Sequence, residues 1–113
     1  MSEIQRPREW FDRVLPETVR EHPEKVAGFR GTLLFEITGE AGGTWTVAFD
    51  DGAIDVQEGD GREAQFRIKM KDVSFVSMMN GEISGANAFM SGKLKFKGGV
   101  TQAMKLRGLL FAG

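Results

Sequence analysis

Apolar residues recur at every second position in five short segments of this chain, and this two-residue period constrains the fold more than any other feature. Alternation puts one set of side chains on each face of a β-strand, which predicts a sheet with one buried face. Asp51-Gly52 predicts a tight hairpin, because such turns require positive φ. The five predicted strands are residues 32–38, 44–50, 53–57, 64–70 and 93–97.

The inward positions of these strands are all apolar, and the predicted helices add around twenty further apolar side chains. A sheet covered by one layer of helices needs about equal numbers of apolar side chains from the sheet and from the helices. The surplus of apolar side chains on the helices therefore indicates a thicker core, a dimer interface or the wall of a cavity. Methionines from Met70 onward favour a cavity, since thioether chains adapt to varied ligands, although they also fill ordinary core gaps. The inward set is Leu33, Phe35, Ile37, Trp45, Val47, Phe49, Ile54, Val56, Phe66, Ile68, Met70, Leu94 and Phe96.

A helical period precedes the first strand. Residues 7–15 predict a helix that begins at Pro7, because proline is favoured at the first helical position. Pro16 is expected to break or restart this helix, since the residue before a proline avoids the helical region. A second short helix containing Val19 is expected to end before Pro23.

The helical period returns after the fourth strand. Asp72 is the expected N-cap of a helix over 73–80, and Ser84 that of a helix over 85–91. In the second of these we expect Ala86, Phe89 and Met90 to form the apolar side. Residues 100–111 predict a last apolar helix.

Length and composition predict one domain, residues 1–113, with no cofactor. The chain has no cysteine and one histidine, which argues against thiolate chemistry and a histidine metal site. No apolar run reaches the roughly 20 residues of a membrane span. Neither a secretory signal nor a C-terminal peroxisomal address is recognisable, so we expect a cytoplasmic protein.

The charge is divided unevenly along the chain. Residues 1–60 carry six basic and thirteen acidic side chains, while residues 61–113 carry nine and three, which gives −7 and +6. If strands four and five are neighbours, six cations share the outer sheet face, with Glu36 as a partial offset. This stripe indicates contact with an anionic membrane surface or a CoA phosphate, although a solvated sheet face is the simpler interpretation. Nucleic acid is not expected, because no exposed aromatic residues interleave the stripe. The stripe is Arg67, Lys69, Lys71, Lys93, Lys95 and Lys97.

From Leu33 to Leu110 the sequence resembles the sterol carrier protein 2 (SCP-2) sterol-binding domain family. The most specific motif is Ala88-Phe89-Met90-Ser91-Gly92-Lys93-Leu94-Lys95-x-x-Gly98. More diffuse features precede it in the family's order: Phe35-x-x-x-Gly39, Gly43-x-Trp45-x-Val47, Asp51-Gly52, Gly59 and Gly81.

The resemblance implies an α+β fold: a twisted, mostly antiparallel five-stranded sheet with helices on one face. It also implies a non-catalytic apolar tunnel for a fatty acid, fatty acyl-CoA or sterol-like ligand. The implied lipid-binding wall, for which ordinary core packing is the alternative, is Phe66, Ile68, Val73, Val76, Met79, Ile83, Phe89, Met90, Met104 and Leu109.

Two other classes of function stay open. The same fold could serve as a protein-interaction or oligomerisation module, with the surplus apolar surface buried in a homodimer. A small enzyme is disfavoured, because the chain has no tyrosine and its acidic residues fall mostly at turns and outward positions.

Overall fold

The computed structural model of the chain describes residues 3–60, 63–99, 101 and 105. A helical run begins with α1 (Pro7–Glu9), passes through a π-helical turn (Trp10–Val14) and ends with α2 (Leu15–Glu21). A 3₁₀ turn, Pro23–Lys25, leads to the sheet. Two helices follow the fourth strand: α3 (Asp72–Met79) and α4 (Gly85–Met90). The predicted helix over 100–111 lies outside the described residues, apart from residues 101 and 105.

Five strands form one mixed sheet in the order β3-β2-β1-β4-β5. The β1–β4 pair is parallel and the other three pairs are antiparallel, which confirms the mostly antiparallel α+β fold. Asp51 and Gly52 take φ values of 48° and 99°, so the predicted hairpin turn is correct. The strands are β1 (Arg30–Thr38), β2 (Gly43–Asp50), β3 (Ala53–Glu58), β4 (Phe66–Lys71) and β5 (Lys95–Lys97).

Pro16 does not break the first helix, but α2 begins beside it at Leu15, so of the two expected outcomes the restart is the one observed. The backbone N–H of Leu15 donates to the carbonyl of Trp10, five residues back, so the helix is locally widened just before the proline. Proline cannot donate a backbone N–H, and its ring collides with the carbonyl four residues back in a regular α-helix. The π turn relieves this conflict, and the helical run continues to Glu21.

An aromatic cluster joins the helical run to the sheet. The rings of Phe11 and Trp45 stack at 4.4 Å between centroids, and Phe11 also stacks on Phe75 of α3 at 5.6 Å. Phe35 of the central strand meets Phe11 edge-on at 4.9 Å. These rings are almost completely buried, so the helices before and after the sheet share one core.

Two outward-facing residues are buried, contrary to the alternation. Leu34 and Thr46 are 6% and 0% exposed. The Thr46 hydroxyl donates to the carbonyl of Gly59 at 2.5 Å, and Ala64 lines a groove together with Leu34. The chain after β3 therefore covers part of the outer sheet face, which satisfies the buried hydroxyl.

The first helical turn of α3 is fixed by a close contact with the β1–β2 turn. Asp72 is the first residue of α3 and Lys71 its N-cap, one position earlier than predicted. The Asp72 carboxylate accepts the backbone N–H of Ala41 at 3.0 Å and that of Val73 at 2.8 Å. Gly39 takes φ +104°, and a Cβ added there would collide with the Asp72 carboxylate. A side chain is therefore excluded at this glycine on two grounds.

Candidate functional site

The predicted wall residues of β4 lie on the inner face of the sheet. Phe66 and Ile68 are 7% and 1% exposed. The Phe66 ring lies 5.4 Å from the ring of Phe29 and 6.2 Å from that of Phe96, which is half-buried on β5. The apolar side of the β4–β5 edge is thus less completely covered than the centre of the sheet.

Helix α3 turns its predicted residues in different directions. Phe75 and Met78 face the core, while Val76 and Met79 are half-buried at its edge. Val76 lines a small groove of about 250 Å³ with Gln5 and Pro7, on the side of the N-terminal segment. The structure therefore places Val76 beside the N-terminal segment, and Phe66 at the other end of the sheet face, beside Phe29.

Helix α4 presents its larger apolar side chains to solvent, so the predicted apolar side of this helix is wrong. Gly85 and Ala88 face the core, whereas Ala86 is exposed and Phe89 and Met90 are 55% and 85% exposed. Small residues on the inner side let the helix backbone approach the core closely, and this turns the long side chains outward. The N-cap prediction is confirmed, because the Ser84 hydroxyl accepts the backbone N–H of Asn87 at 3.0 Å.

A groove of about 590 Å³ lies between the carboxyl end of β4, the start of α3 and the loop after α4. Its size falls within the roughly 300–1,000 Å³ of ordinary ligand sites. Its rim is cationic, so it suits an anionic group better than an acyl chain. The lining residues are Thr38, Lys69, Met70, Lys71, Val73, Ser74, Ser91, Gly92, Lys93 and Lys95.

The predicted cationic stripe divides into two parts. Strands β4 and β5 are antiparallel neighbours, with Arg67 opposite Lys97 and Lys69 opposite Lys95. Arg67 lies 3.7 Å from Glu36, which confirms the expected offset for that residue. Lys93 precedes β5 and lines the groove, so it is not on a strand as predicted. Groove and stripe share four lysines: Lys69, Lys71, Lys93 and Lys95.

Not all predicted wall residues are brought together. Ile83 is half-buried against the core, and Val73 is 67% exposed between the two grooves. Met104 and Leu109 lie outside the described residues. The assignment of the ten residues to a lipid-binding wall stays a prediction.

Sequence reasoning missed the hydroxyl groups of the groove. Thr38 reaches it because β1 and β4 pair in parallel, with Thr38 beside Lys71. Parallel pairing across intervening strands leaves no local pattern, so only the resemblance could have indicated it. Ser74 and Ser91 could not be recognised as groove residues from the sequence, because single serines are common in helices and turns.

Two further properties bound the chemistry of the described part of the chain. No helix in residues 3–60 and 63–99 is long and apolar enough to cross a membrane. No group of three His, Cys, Asp or Glu side chains in those ranges could hold a metal ion.

Known proteins are similar to this chain in fold and in sequence. The sequence matches the SCP-2 sterol transfer family over residues 11–111. Human hydroxysteroid dehydrogenase-like protein 2 is 40% identical over 86 residues, which are 75% of this chain and 21% of the relative. Non-specific lipid-transfer protein-like 1 of Caenorhabditis elegans is 31% identical over 98 residues, which are 85% of this chain and 83% of the relative. The solution structure of palmitated SCP2L2 from Aedes aegypti superimposes with a TM-score of 0.69 at 17% sequence identity. The superposition covers 90% of this chain and 92% of the mosquito chain.

The fold is thus that of a small α+β domain with an open mixed sheet. The chain belongs to the SCP-2 sterol transfer family, which confirms the resemblance seen in the sequence. It spans 21% of the length of the human dehydrogenase-like relative, so that name describes a much longer protein.

Proposed function

We propose that this chain is a non-catalytic lipid carrier that holds the hydrocarbon part of a fatty acid, fatty acyl-CoA or sterol-like molecule. Family membership over residues 11–111 supports this proposal. A worm relative matched over 83% of its length is named as a non-specific lipid-transfer protein. A mosquito protein with the same fold is described as palmitated.

The observation that carries the proposal is the unequal burial of the sheet's inner face. Stacked aromatic rings fill the space between the helical run and the central strands, with Trp45 and Phe35 at 1% and 0% exposure. At the β4–β5 edge, Phe96 stays half-buried beside Phe66. A hydrocarbon chain gains free energy by covering partly exposed apolar surface, about 25 cal/mol per Å². Ile54 and Val56 at the β3 edge are half-buried as well, so the predicted wall residues on β4 decide the placement, and we propose that the lipid lies at the β4–β5 edge.

The proposed wall contains the described buried and half-buried members of the predicted set except Val76, which lies beside the N-terminal segment. Its proposed members are Phe66 and Ile68, which are buried on β4, and Met79 and Ile83, which are half-buried against the core on α3 and the segment after it. Met104 and Leu109, the other predicted members of the wall, lie outside the described residues.

Native mass spectrometry tests the carrier function directly. The purified protein is incubated separately with palmitate, palmitoyl-CoA and cholesterol, and the mass of each retained ligand is read together with the subunit count. We expect one lipid per chain for at least one of the three. A folded protein that retains none of them at micromolar concentration contradicts the proposal.

A cavity-filling variant locates the wall. Ile83→Trp is expected to reduce retention of the preferred lipid at least tenfold, because the indole ring is larger than the isoleucine side chain and occupies the space proposed for the lipid. Ile54→Trp is the matched control, since Ile54 is also half-buried but lies on β3 at the opposite edge of the sheet. Equal loss in both variants would contradict the placement.

The second candidate function is an oligomerisation module, and the observation that favours it is the exposure of Val73, Phe89 and Met90. The same mass spectra decide this question. A dimer without retained lipid supports the interaction module, and a monomer with lipid supports the carrier.

We further propose that the carrier works in the cytoplasm and exchanges its lipid with anionic membranes through the cationic stripe. Cell fractionation tests the location: recovery of the chain with an organelle lumen would contradict it.

A further inference from the structure

The large apolar side chains that are exposed among the described residues lie in or directly before two segments that line one groove, the start of α3 and the turn after α4. They are Val73, Phe89 and Met90, at 67%, 55% and 85% exposure. Val73 lines the 590 Å³ groove, and Phe89 and Met90 come directly before Ser91 and Gly92, which also line it. Scattered apolar residues on a surface need no explanation, whereas a cluster of this kind marks an interaction site.

A rigid turn holds two of these side chains outward. The N–H of Lys93 donates to the carbonyl of Ala88 at 2.8 Å, and that of Gly92 donates to the carbonyl of Phe89 at 3.2 Å. With Gly92 at φ +81°, this pattern is a Schellman motif. Ala88 and the nearby Leu94 are each 1% exposed and anchor the motif in the core. The outward direction of Phe89 and Met90 is therefore fixed by the backbone.

The lysines around the groove are not neutralised. Lys69 and Lys95 stand directly opposite each other on β4 and β5, an arrangement that is unfavourable without a counter-charge. Glu36 of β1 is the register partner of Lys69, but its carboxylate forms its ion pair with Arg67 at 3.7 Å. Among the described residues, no carboxylate lies within ion-pair distance of the groove lysines. The groove therefore carries excess positive charge beside exposed apolar side chains.

We propose that this surface docks on a bilayer containing anionic phospholipid, and we name it the docking patch: Val73, Phe89, Met90, Lys69, Lys71, Lys93 and Lys95. The three apolar side chains enter the interface while the lysines contact headgroup phosphates, the arrangement found in peripheral membrane-binding elements. The inference rests on the proposed carrier function, which needs a membrane as donor or acceptor. It narrows the cationic stripe to the four lysines that line the groove, without Arg67 and Lys97, and adds the three apolar side chains.

Vesicle sedimentation tests the charge of the patch. The probes are vesicles of phosphatidylcholine alone and with phosphatidylserine, at low and high salt. Lys93→Gln with Lys95→Gln is expected to weaken adsorption to the anionic vesicles about 25-fold, about fivefold per lysine. The charge-matched control, Arg20→Gln with Lys25→Gln, is expected to change adsorption less than twofold, because both residues are exposed outside the patch.

A second pair of variants tests the apolar part. Met90→Gln is expected to weaken adsorption several-fold, whereas Met90→Leu, which stays apolar, keeps it. Equal loss in both charge doubles would mean that only net charge matters, and it would overturn the proposal. Unchanged adsorption of Met90→Gln with loss of palmitate retention would assign Met90 to the lipid wall and overturn it as well.

The two proposals fail separately. Palmitate retention in native mass spectra without vesicle adsorption leaves the carrier standing and removes the docking patch. Adsorption that depends on the patch, without retention of any lipid, keeps the patch and removes the carrier.

Discussion

Replacing Gly39 with alanine tests whether the β1–β2 turn and the start of α3 are energetically coupled. The backbone at Gly39 has φ +104°, where a side chain costs about 1–3 kcal/mol. The new methyl group also collides with the Asp72 carboxylate. Displacing this carboxylate breaks its hydrogen bonds to Ala41 and Val73, each with a net value of about 0.5–1.5 kcal/mol. We expect Gly39→Ala to lower the free energy of unfolding by about 2–6 kcal/mol.

The double variant separates the two contributions. Asp72→Ala alone is expected to cost about 1–3 kcal/mol, since it removes the same two hydrogen bonds. In Gly39→Ala with Asp72→Ala the collision is gone and the two hydrogen bonds are lost once, so the double variant should be less destabilised than the sum by about 1–3 kcal/mol.

Urea unfolding followed by the fluorescence of buried Trp10 and Trp45 measures all three variants. Gly59→Ala is the matched control, because Gly59 has φ +100° and no atom within 4 Å of an added Cβ. Its cost should simply add to that of Asp72→Ala. If the Gly39 and Asp72 changes also add within about 0.3 kcal/mol, the two sites are independent and the reasoning fails.

Three further changes probe the core, the N-terminus and acid stability. Phe11→Ala should lower the free energy of unfolding by about 3–5 kcal/mol in urea, while exposed Phe89→Ala should change it by less than about 0.5 kcal/mol. Asn80→Ala should speed amide hydrogen exchange at Ile4, whose N–H and carbonyl both bond to the Asn80 side chain at 2.9 Å. Backbone N–H groups of Gln5 and Arg6 hold the pKa of Glu9 below its ordinary value of 4.5, so Glu9 stabilises the fold above that pH and loses this effect as the pH falls through the lowered pKa. Glu9→Gln should therefore flatten the acid part of a stability–pH curve measured by thermal unfolding.

Each of these predictions can fail in a specific way. A small loss in Phe11→Ala would mean that the aromatic stack relaxes around the missing ring. Unchanged exchange at Ile4 would show that other contacts hold the N-terminal segment. Parallel acid curves for the parent chain and Glu9→Gln would remove Glu9 from the acid response.

Strand positions and turns were predictable from the sequence because their signals are local. Phe66, Ile68 and Met70 alternate with exposed residues as expected, and Asp51-Gly52 forms the expected turn. The helix through Pro16 was not predictable, because a π turn depends on how Trp10 and neighbouring rings pack in three dimensions.

The candidate site was harder to predict from the sequence than the strands and turns. Phe89 and Met90 carry the strongest apolar signal in α4, yet burial is decided by the small residues Gly85 and Ala88. Hydrophobicity alone favours the larger side chains, whereas close helix packing favours the smaller ones. Strands β4 and β5 are neighbours, as the prediction of a shared lysine stripe required, but Lys93 lies before β5, and the division of the stripe depended on Glu36 and on where β5 begins.

The sheet order also has a kinetic consequence. Strands β1, β2 and β3 follow one another in a meander. Strand β4 pairs with β1, with Phe66 beside Leu33, although β2 and β3 lie between them in the sequence. Loop closure over such separations is slow, so the meander is expected to form early and the β4–β5 edge to join last. We expect the same edge to detach first in the folded protein, at a free energy below that of global unfolding. Such partial opening would admit a hydrocarbon chain while the meander stays intact.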